Sequence, residues 1–313
     1  MLYFCKENKS AISTDDNLIF VSLGVGSMQA TILYTHLDRD FIHPELSDDF
    51  SEYMPDMWQY MTDSFRSRSM GVVCDFSQEI HRVYTAVFPS KRVMNKLLKD
   101  ASNNPDGTLL FLHHPIDWGC RNGKLGWTQI PTKLIETCKK MNISIYAIHT
   151  PLDNYGRYST GRTLAEAMGL TIIEPFIEYR GGLAGIIGRT RCKTTMELSN
   201  LLCSVFGHAP KLYPYGSETI IDGVVAVITG GGNNIGASPV IVSRGINTFV
   251  TGVSVCNEVS SSIHQYEQAK GINLFGGTHY STEKFACMNM CYYFRKLGLP
   301  AQFIDDTPTL EDL

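Results

Sequence analysis

LLFLHHP, residues Leu109–Pro115, is the stretch from which the fold of this chain is read. Its apolar run has the look of a strand buried on both faces. Two imidazoles follow, then a proline that stops a hydrogen-bonded ladder. Upstream, VYTAVF (Val83–Phe88) is a second run rich in strand formers, bounded by Pro89 and Ser90. Between the two, residues 91–103 have helical spacing, with Val93, Leu97 and Leu98 on one side. Downstream, the pattern predicts a helix over Lys133–Met141, a strand over Ile143–Ile148 that ends in His149, and a helix over Thr163–Met168 leading to Gly169.

The same rhythm returns later. VVAVIT (Val224–Thr229) runs into Gly230, Gly231, Gly232, Asn233 and Asn234. A short helix with Ala237, Val240 and Ile241 follows, then the strand Thr248–Thr251, a helical stretch around His264–Ala269, and the strand Ile272–Phe275. The last strand opens into Gly276, Gly277, Thr278 and His279. Similar strand offsets suggest two related β-α-β-α-β lobes. Alternation of strand and helix predicts largely parallel sheets with helices on their faces. Ligands of such sheets gather beyond the carboxyl ends of the strands, where His113, His114, His149 and His279 all lie.

At 313 residues the chain has room for one large domain or two moderate ones. Hydrophobic residues at 43% and charged residues at 19% exclude a disordered chain. A formal charge of −4 argues against a broad basic surface for nucleic acid. No apolar run approaches the roughly 18 residues of a membrane helix. The nine cysteines are scattered, odd in number and lack a C-x-x-C pair, so they read as buried free thiols in a reducing cytoplasm. Residues 1–27 read as a detachable extension without the features of a signal peptide. A helical pattern (Ile32, Leu33, His36, Leu37) begins at Met28, which is read as the native start.

Two of the strand-end histidines have a carboxylate four residues on: His149–Asp153 in HTPLD and His279–Glu283 in HYSTE. In a helical turn such pairs share a side, so each can offer a nitrogen and an oxygen to one cation. His113 and His114 differ, because neighbours in an extended strand face opposite ways. They can act together only where the chain bends, or each can serve a different ion. Three or four imidazoles and two carboxylates exceed one three-ligand catalytic site, which favours two ions.

With these motifs in order, the chain resembles the dinuclear metal-centre proteins often labelled type 2 GTP cyclohydrolase-like (NGG-interacting-factor-like). The resemblance spans roughly Met28 to Asp305. It rests on the HHP strand, AIHTPLDN (Ala147–Asn154) with LAEAMGL (Leu164–Leu170), VVAVITGGG (Val224–Gly232) and GGTHYSTE (Gly276–Glu283). It implies a two-lobed, three-layer α/β/α fold with two divalent ions in the inter-lobe cleft. Carried over by motif, the ligands are His113, His114, Asp153, His279 and Glu283, with Glu283 bridging. His149 then orients Asp153 or a bound water, shuttles a proton, or serves as an alternative ligand. The lobes fall at 28–170, completed by 284–313, and at 171–283. The resemblance also implies a hexamer built from dimers. Ligand type leaves zinc, iron, manganese or nickel open.

One departure bears on the substrate: many relatives carry an acidic residue where Val253 follows Thr251-Gly252, and Val253–Ser262 looks altered. The expectation is a cytoplasmic metal-dependent hydrolase acting on a nucleotide or phosphoester-like small molecule, with His149 and Glu283 as catalytic residues. The alternatives are a non-catalytic metal-binding scaffold working through protein partners and, more weakly, a nucleic-acid-binding ring. The absence of G-x-S-x-G lowers a serine hydrolase reading. The Gly230–Asn234 turn reads as close helix packing, with an anion nest as the alternative. Arg180-Gly181-Gly182 reads as a turn, and Arg189, Arg191 and Lys193 as a solvated edge. Met288, Cys291, Phe294 and Leu297 read as a core stripe. Trp118 and Trp127 either wall the site or fill the core.

Overall fold

A computed structural model describes residues 26–103, 106–234 and 236–313. The proposed extension at 1–27 therefore lies almost wholly outside the described residues. Two sheets organise the rest. One has the order Ala301–Phe303, Arg82–Ala86, Thr108–Leu112, Ile143–Ala147, Gly71–Cys74. The other has the order Lys211–Tyr213, Asn273–Gly276, Thr248–Thr251, Val224–Ile228, Gly182–Arg189, Thr171–Tyr179.

Each sheet is built on three parallel strands that follow one another in sequence, with an antiparallel strand beside the third; in the first sheet Ala301–Phe303 adds a fourth parallel strand at the other edge. The expectation of largely parallel sheets needs correction in the second. There the hairpin of Thr171–Tyr179 and Gly182–Arg189 and the strand Lys211–Tyr213 are antiparallel additions. The hairpin turns at Arg180 and Gly181, as Arg-Gly-Gly suggests. Gly181 has φ +91, and a Cβ there would overlap the Glu45 carbonyl. Arg189, Arg191 and Lys193 are exposed, as a solvated edge should be.

Strand alternation explains the layers. In Thr108–Leu112, Leu110 and Leu112 face one core with Val93, Leu97 and Ile135 from the helices Lys91–Ser102 and Thr132–Lys140. Leu109 and Phe111 face another core with Leu33 and Leu37 of the helix Ala30–Phe41 and with Met290 and Phe294 of the helix His279–Lys296. The second sheet repeats this. Val225 and Val227 pack on Leu164, Leu198 and Leu202, whereas Ala226 and Ile228 pack on Ala237 and Ile241. Each fully buried Leu, Val or Phe contributes roughly 1.5–3 kcal/mol.

The helix His279–Lys296 positions the site. It leaves the carboxyl end of Asn273–Gly276 in the second sheet and packs its far half on the first. Met288 is a correction to the predicted stripe. It is 47% exposed, because the buried face runs through Cys287, Met290, Cys291 and Phe294 instead. The eight described cysteines are all free. Cys74, Cys138, Cys287 and Cys291 are buried, but Cys256 is exposed and Cys120, Cys192 and Cys203 are partly so, which limits the buried-thiol reading to half of them. No described helix is long and apolar enough to cross a membrane.

Candidate metal centre

The HHP segment sits where Thr108–Leu112 ends. The N–H groups of His113 and His114 still donate along the ladder, to the carbonyls of Ala86 (3.2 Å) and Val87 (2.9 Å). The chain then bends, so the two rings do not point to opposite faces; their centroids are 4.2 Å apart. His113 Nδ1 lies 3.2 Å from the Ile148 carbonyl, which can only accept, so Nδ1 carries a proton and Nε2 is the nitrogen turned to the cluster. That Nε2 faces Asp153 Oδ1 and Glu283 Oε1, each at 3.6 Å.

Glu283 reaches the same place from the last helix. Its Oε2 is 2.9 Å from His114 Nε2, and its Oε1 is 3.2 Å from His279 Nε2. One turn of helix separates His279 from Glu283, as four-residue spacing requires. Thr278, just before them, is held at φ +65 and ψ 151, a conformation that a side chain disfavours; its hydroxyl accepts from the Ser281 N–H. Gly230, with φ +59, passes close behind: a Cβ there would overlap Glu283 Oε1 and lie 2.9 Å from His279 Nε2. The glycine turn is thus packed against the helix start, as read from sequence.

Asp153 and His149 sit on the short turn Thr150–Asp153 and at its cap. His149 Nε2 is 3.3 Å from Asp153 Oδ2, and its Nδ1 is 3.0 Å from Asp48 Oδ2. Thr160 Oγ1 donates to Asp153 Oδ1 at 2.8 Å and accepts from Thr229 Oγ1 at 2.8 Å. Asp48, Thr160 and Asp312 escaped the sequence reading. Each meets the cluster from a distant or unremarkable stretch, and no local motif marks them.

The six residues named from sequence thus come together, and ligand atoms of three groups lie within 4.8 Å of one another. These groups are His113, Asp153 and Glu283; His114, His279 and Glu283; and His113, His114 and His149. The first two share Glu283 and together contain all five residues carried over as ligands. Burial alone would push the His113 imidazole down, but the carboxylates of Glu283 and Asp153 outweigh it and lift it to about 9. Burial would raise Glu283, yet His279, His114 and His113 hold it well below the usual carboxylate range. Burial and the neighbouring His113 depress His114.

The donor set fits a divalent cation of the zinc, iron, manganese or nickel type. The buried His113 Nε2, which faces both carboxylates, has no hydrogen-bond partner. A cation supplies the charge compensation that a buried group of this kind otherwise lacks.

The centre opens into a cleft of ≈ 300 Å³ walled by both halves of the molecule. Trp127 lines it, and Trp118 lies behind, with its ring 4.9 Å from that of Trp127 and its indole N–H on Asp312. Trp127 therefore belongs to the wall, whereas Trp118 does not line the cleft and packs against the buried cluster of Val87, Phe88, Tyr280 and Cys287.

Comparison with known proteins agrees with this architecture. A protein from Archaeoglobus fulgidus named GTP cyclohydrolase 1 type 2 homolog is 28% identical over 238 residues, 75% of this chain and 88% of that protein. A protein of the same name from Pyrococcus horikoshii is 25% identical over 239 residues, 75% of this chain and 88% of that protein. Among solved structures, protein ybgI, described as of unknown function, has a TM-score of 0.67 at 19% identity; 90% of this chain and 100% of that one are covered. Reduced HcgD from Methanocaldococcus jannaschii has a TM-score of 0.64 at 21% identity with the same coverage. At these identities the structural likeness speaks for the fold. The model of the Duf34/NIF3 (NGG1p interacting factor 3) family matches residues 49–308, more than half of the sequence, and the chain belongs to that family.

Proposed function

We propose that this protein is a metal-dependent hydrolase with a dinuclear centre, acting on a nucleotide or phosphoester-like small molecule. The observation that carries the reading is the place of Glu283: one carboxylate, 3% exposed, with Oε2 toward His114 and Oε1 toward His279 and His113. His113 and Asp153 would hold one ion, His114 and His279 the other, and Glu283 both. Two divalent ions bound there supply Lewis acidity and a water of lowered pKa. The chain supplies the rest. Asp48 fixes His149 with its Nδ1–H donating, which leaves Nε2 to take or return a proton at the mouth of the cleft. Phe50 and Phe88 pack beside His114 and exclude water from that side. The relatives' shared name supports the hydrolase reading. The assembly proposed with it is a hexamer built from dimers, measurable by light scattering.

Elemental analysis of protein from metal-replete growth tests the centre. About two equivalents per chain are expected, with a sharp fall in His114→Ala and Glu283→Ala. Less than about half an equivalent would remove the centre. A screen of nucleotides and phosphoesters follows, and turnover unchanged in those variants would remove the hydrolase. The family description names an interacting factor, which favours a second reading: a metal-binding scaffold for a protein partner. The two separate on exchangeable water, since a scaffold closes its coordination shell with protein atoms.

A further inference from the structure

We propose that the cleft takes a planar heteroaromatic ligand bearing at most one anionic group, the size of a nucleoside or nucleoside monophosphate, and rejects polyphosphates. This rests on the metal-centre reading above and narrows its substrate.

The first observation is the wall. Tyr53 is 55% exposed and Trp127 is 38% exposed at the mouth, above the buried ring of Phe50. These rings edge the imidazole cluster. Phe50 is 4.8 Å from His149 between centroids, and Trp127 is 5.0 Å from His114 and 5.6 Å from His279. Tyr179 approaches from the other half of the molecule, 6.3 Å from His149. Large aromatic faces left open beside a polar centre are apolar surface shaped for a flat π-system. A sugar-phosphate chain gains little from them, whereas a base stacks on them whatever its identity.

The second observation is charge. Among the described residues lining the cleft, Arg180 is the one cationic side chain, against Asp49, Asp153 and Glu283. Arg180 is already engaged: its Nη2 is 2.9 Å from Asp49 Oδ2, and its Nη1 is 3.9 Å from Asp48 Oδ1. The glycine turn does not make up the deficit. The Gly232 N–H is donated to the Thr229 carbonyl at 3.2 Å, and the Gly230 N–H to Thr282 Oγ1 at 3.0 Å. Bound divalent ions can neutralise one anionic group on the ligand. With Asp153 and Glu283 holding the ions and Asp49 paired with Arg180, further phosphates would find no free guanidinium or ammonium, the groups that such anions need.

The third observation is size. At ≈ 300 Å³ the cleft lies at the small end of ligand sites, with room for a base and little more beyond the metal centre.

The test is calorimetric titration of the metal-loaded full chain with guanosine, its 5′-monophosphate, its 5′-triphosphate and glycerol 3-phosphate. Metal content is measured before and after each titration. The nucleoside and monophosphate should bind within about fivefold of each other, and the triphosphate and glycerol phosphate at least about tenfold more weakly than the monophosphate. Trp127→Ala and Tyr179→Ala should weaken nucleoside binding by about tenfold with metal content unchanged, and Trp127→Phe should restore most of it. Triphosphate binding tighter than the monophosphate would overturn the proposal. So would full nucleoside affinity in Trp127→Ala, or no binding of either nucleoside or monophosphate. A protein that holds its two ions yet shows no dependence on the rings loses this inference and keeps the metal centre. One whose metal content is unaffected by His114→Ala and Glu283→Ala loses the metal centre instead.

Discussion

Asp312 Oδ2 accepts the backbone N–H of His279 at 2.8 Å, so a carboxylate outside the family-matched stretch caps the helix that carries His279 and Glu283. Its other oxygen accepts the Trp118 indole N–H at 2.9 Å, and its carbonyl accepts the N–H groups of Ser254 (2.7 Å) and Val255 (2.8 Å). One fully buried residue thus ties Trp118 behind the aromatic wall, the helix start and the segment that follows Gly252 together. A negative charge at a helix N-terminus is also favourable in itself.

Asp312→Ala should strand the His279 and Trp118 donors and cost about 2 kcal/mol in urea unfolding of the metal-free protein. Metal affinity should fall by about tenfold, since the outer partners of metal ligands act at that scale. Asp312→Asn, which keeps an acceptor oxygen, should lose less. Equal metal affinity in wild type and Asp312→Ala would show that the tie does not reach the centre.

Asp48 is the counterpart at the other end of the matched stretch. Its Oδ2 accepts from His149 Nδ1 at 3.0 Å, the Thr150 N–H at 3.1 Å and Thr150 Oγ1 at 3.0 Å. Asp48→Ala strands the His149 Nδ1–H and the Thr150 N–H, while the Thr150 hydroxyl keeps the Ser47 carbonyl, and should destabilise by about 3 kcal/mol. Asp48→Asn should destabilise by less than half as much. Chemical denaturation of the three proteins checks the order, and equal midpoints would contradict it.

Gly230→Ala should abolish metal retention. Its Cβ would occupy the space of Glu283 Oε1, and φ +59 adds about 1 kcal/mol of backbone strain for a residue with a Cβ. Gly231→Ala is the control, because a Cβ there meets nothing within 4 Å. Elemental analysis should find wild-type metal in Gly231→Ala and little in Gly230→Ala. Equal content in the two would contradict the close approach.

Glu267 makes stability depend on pH away from the cleft. Burial pushes its carboxyl up to about 7, and the hydrogen bond from Ser238 (2.8 Å) only partly opposes this. The folded state therefore holds a proton that the unfolded chain gives up near pH 4.5. Stability from this group is complete below about pH 4.5 and falls as pH rises to about 7, by at most about 3 kcal/mol. Glu267→Gln should flatten that fall while keeping an acceptor for Ser238. Parallel unfolding curves for wild type and variant at pH 5 and pH 8 would count against it.

Much of this site was legible because its signals are local. An apolar run of strand length followed by histidine is read from adjacent residues, and a four-residue spacing carries its own helical geometry. Six of the seven parallel strands were found to within a residue or two for that reason. Gly71–Cys74, Lys211–Tyr213 and Ala301–Phe303 were not, since runs of three or four residues carry little periodicity, and neither were Thr171–Tyr179, interrupted by Glu174 and Pro175, and Gly182–Arg189, broken by three glycines. Met288 was misplaced because helical spacing alone does not say which stripe meets the sheet.

What the amino-acid order determined by itself, then, is the alternation of strand and helix and the presence of ligating side chains at strand ends. Neighbouring residues impose both through backbone sterics and hydrophobic periodicity. The tertiary structure alone decided that His113 and His114 turn the same way, that Glu283 lies between three imidazoles, and that Asp48 and Asp312 brace them. Those relations join residues far apart along the chain. They follow from how two sheets and one long helix pack, and no short window of sequence encodes that packing.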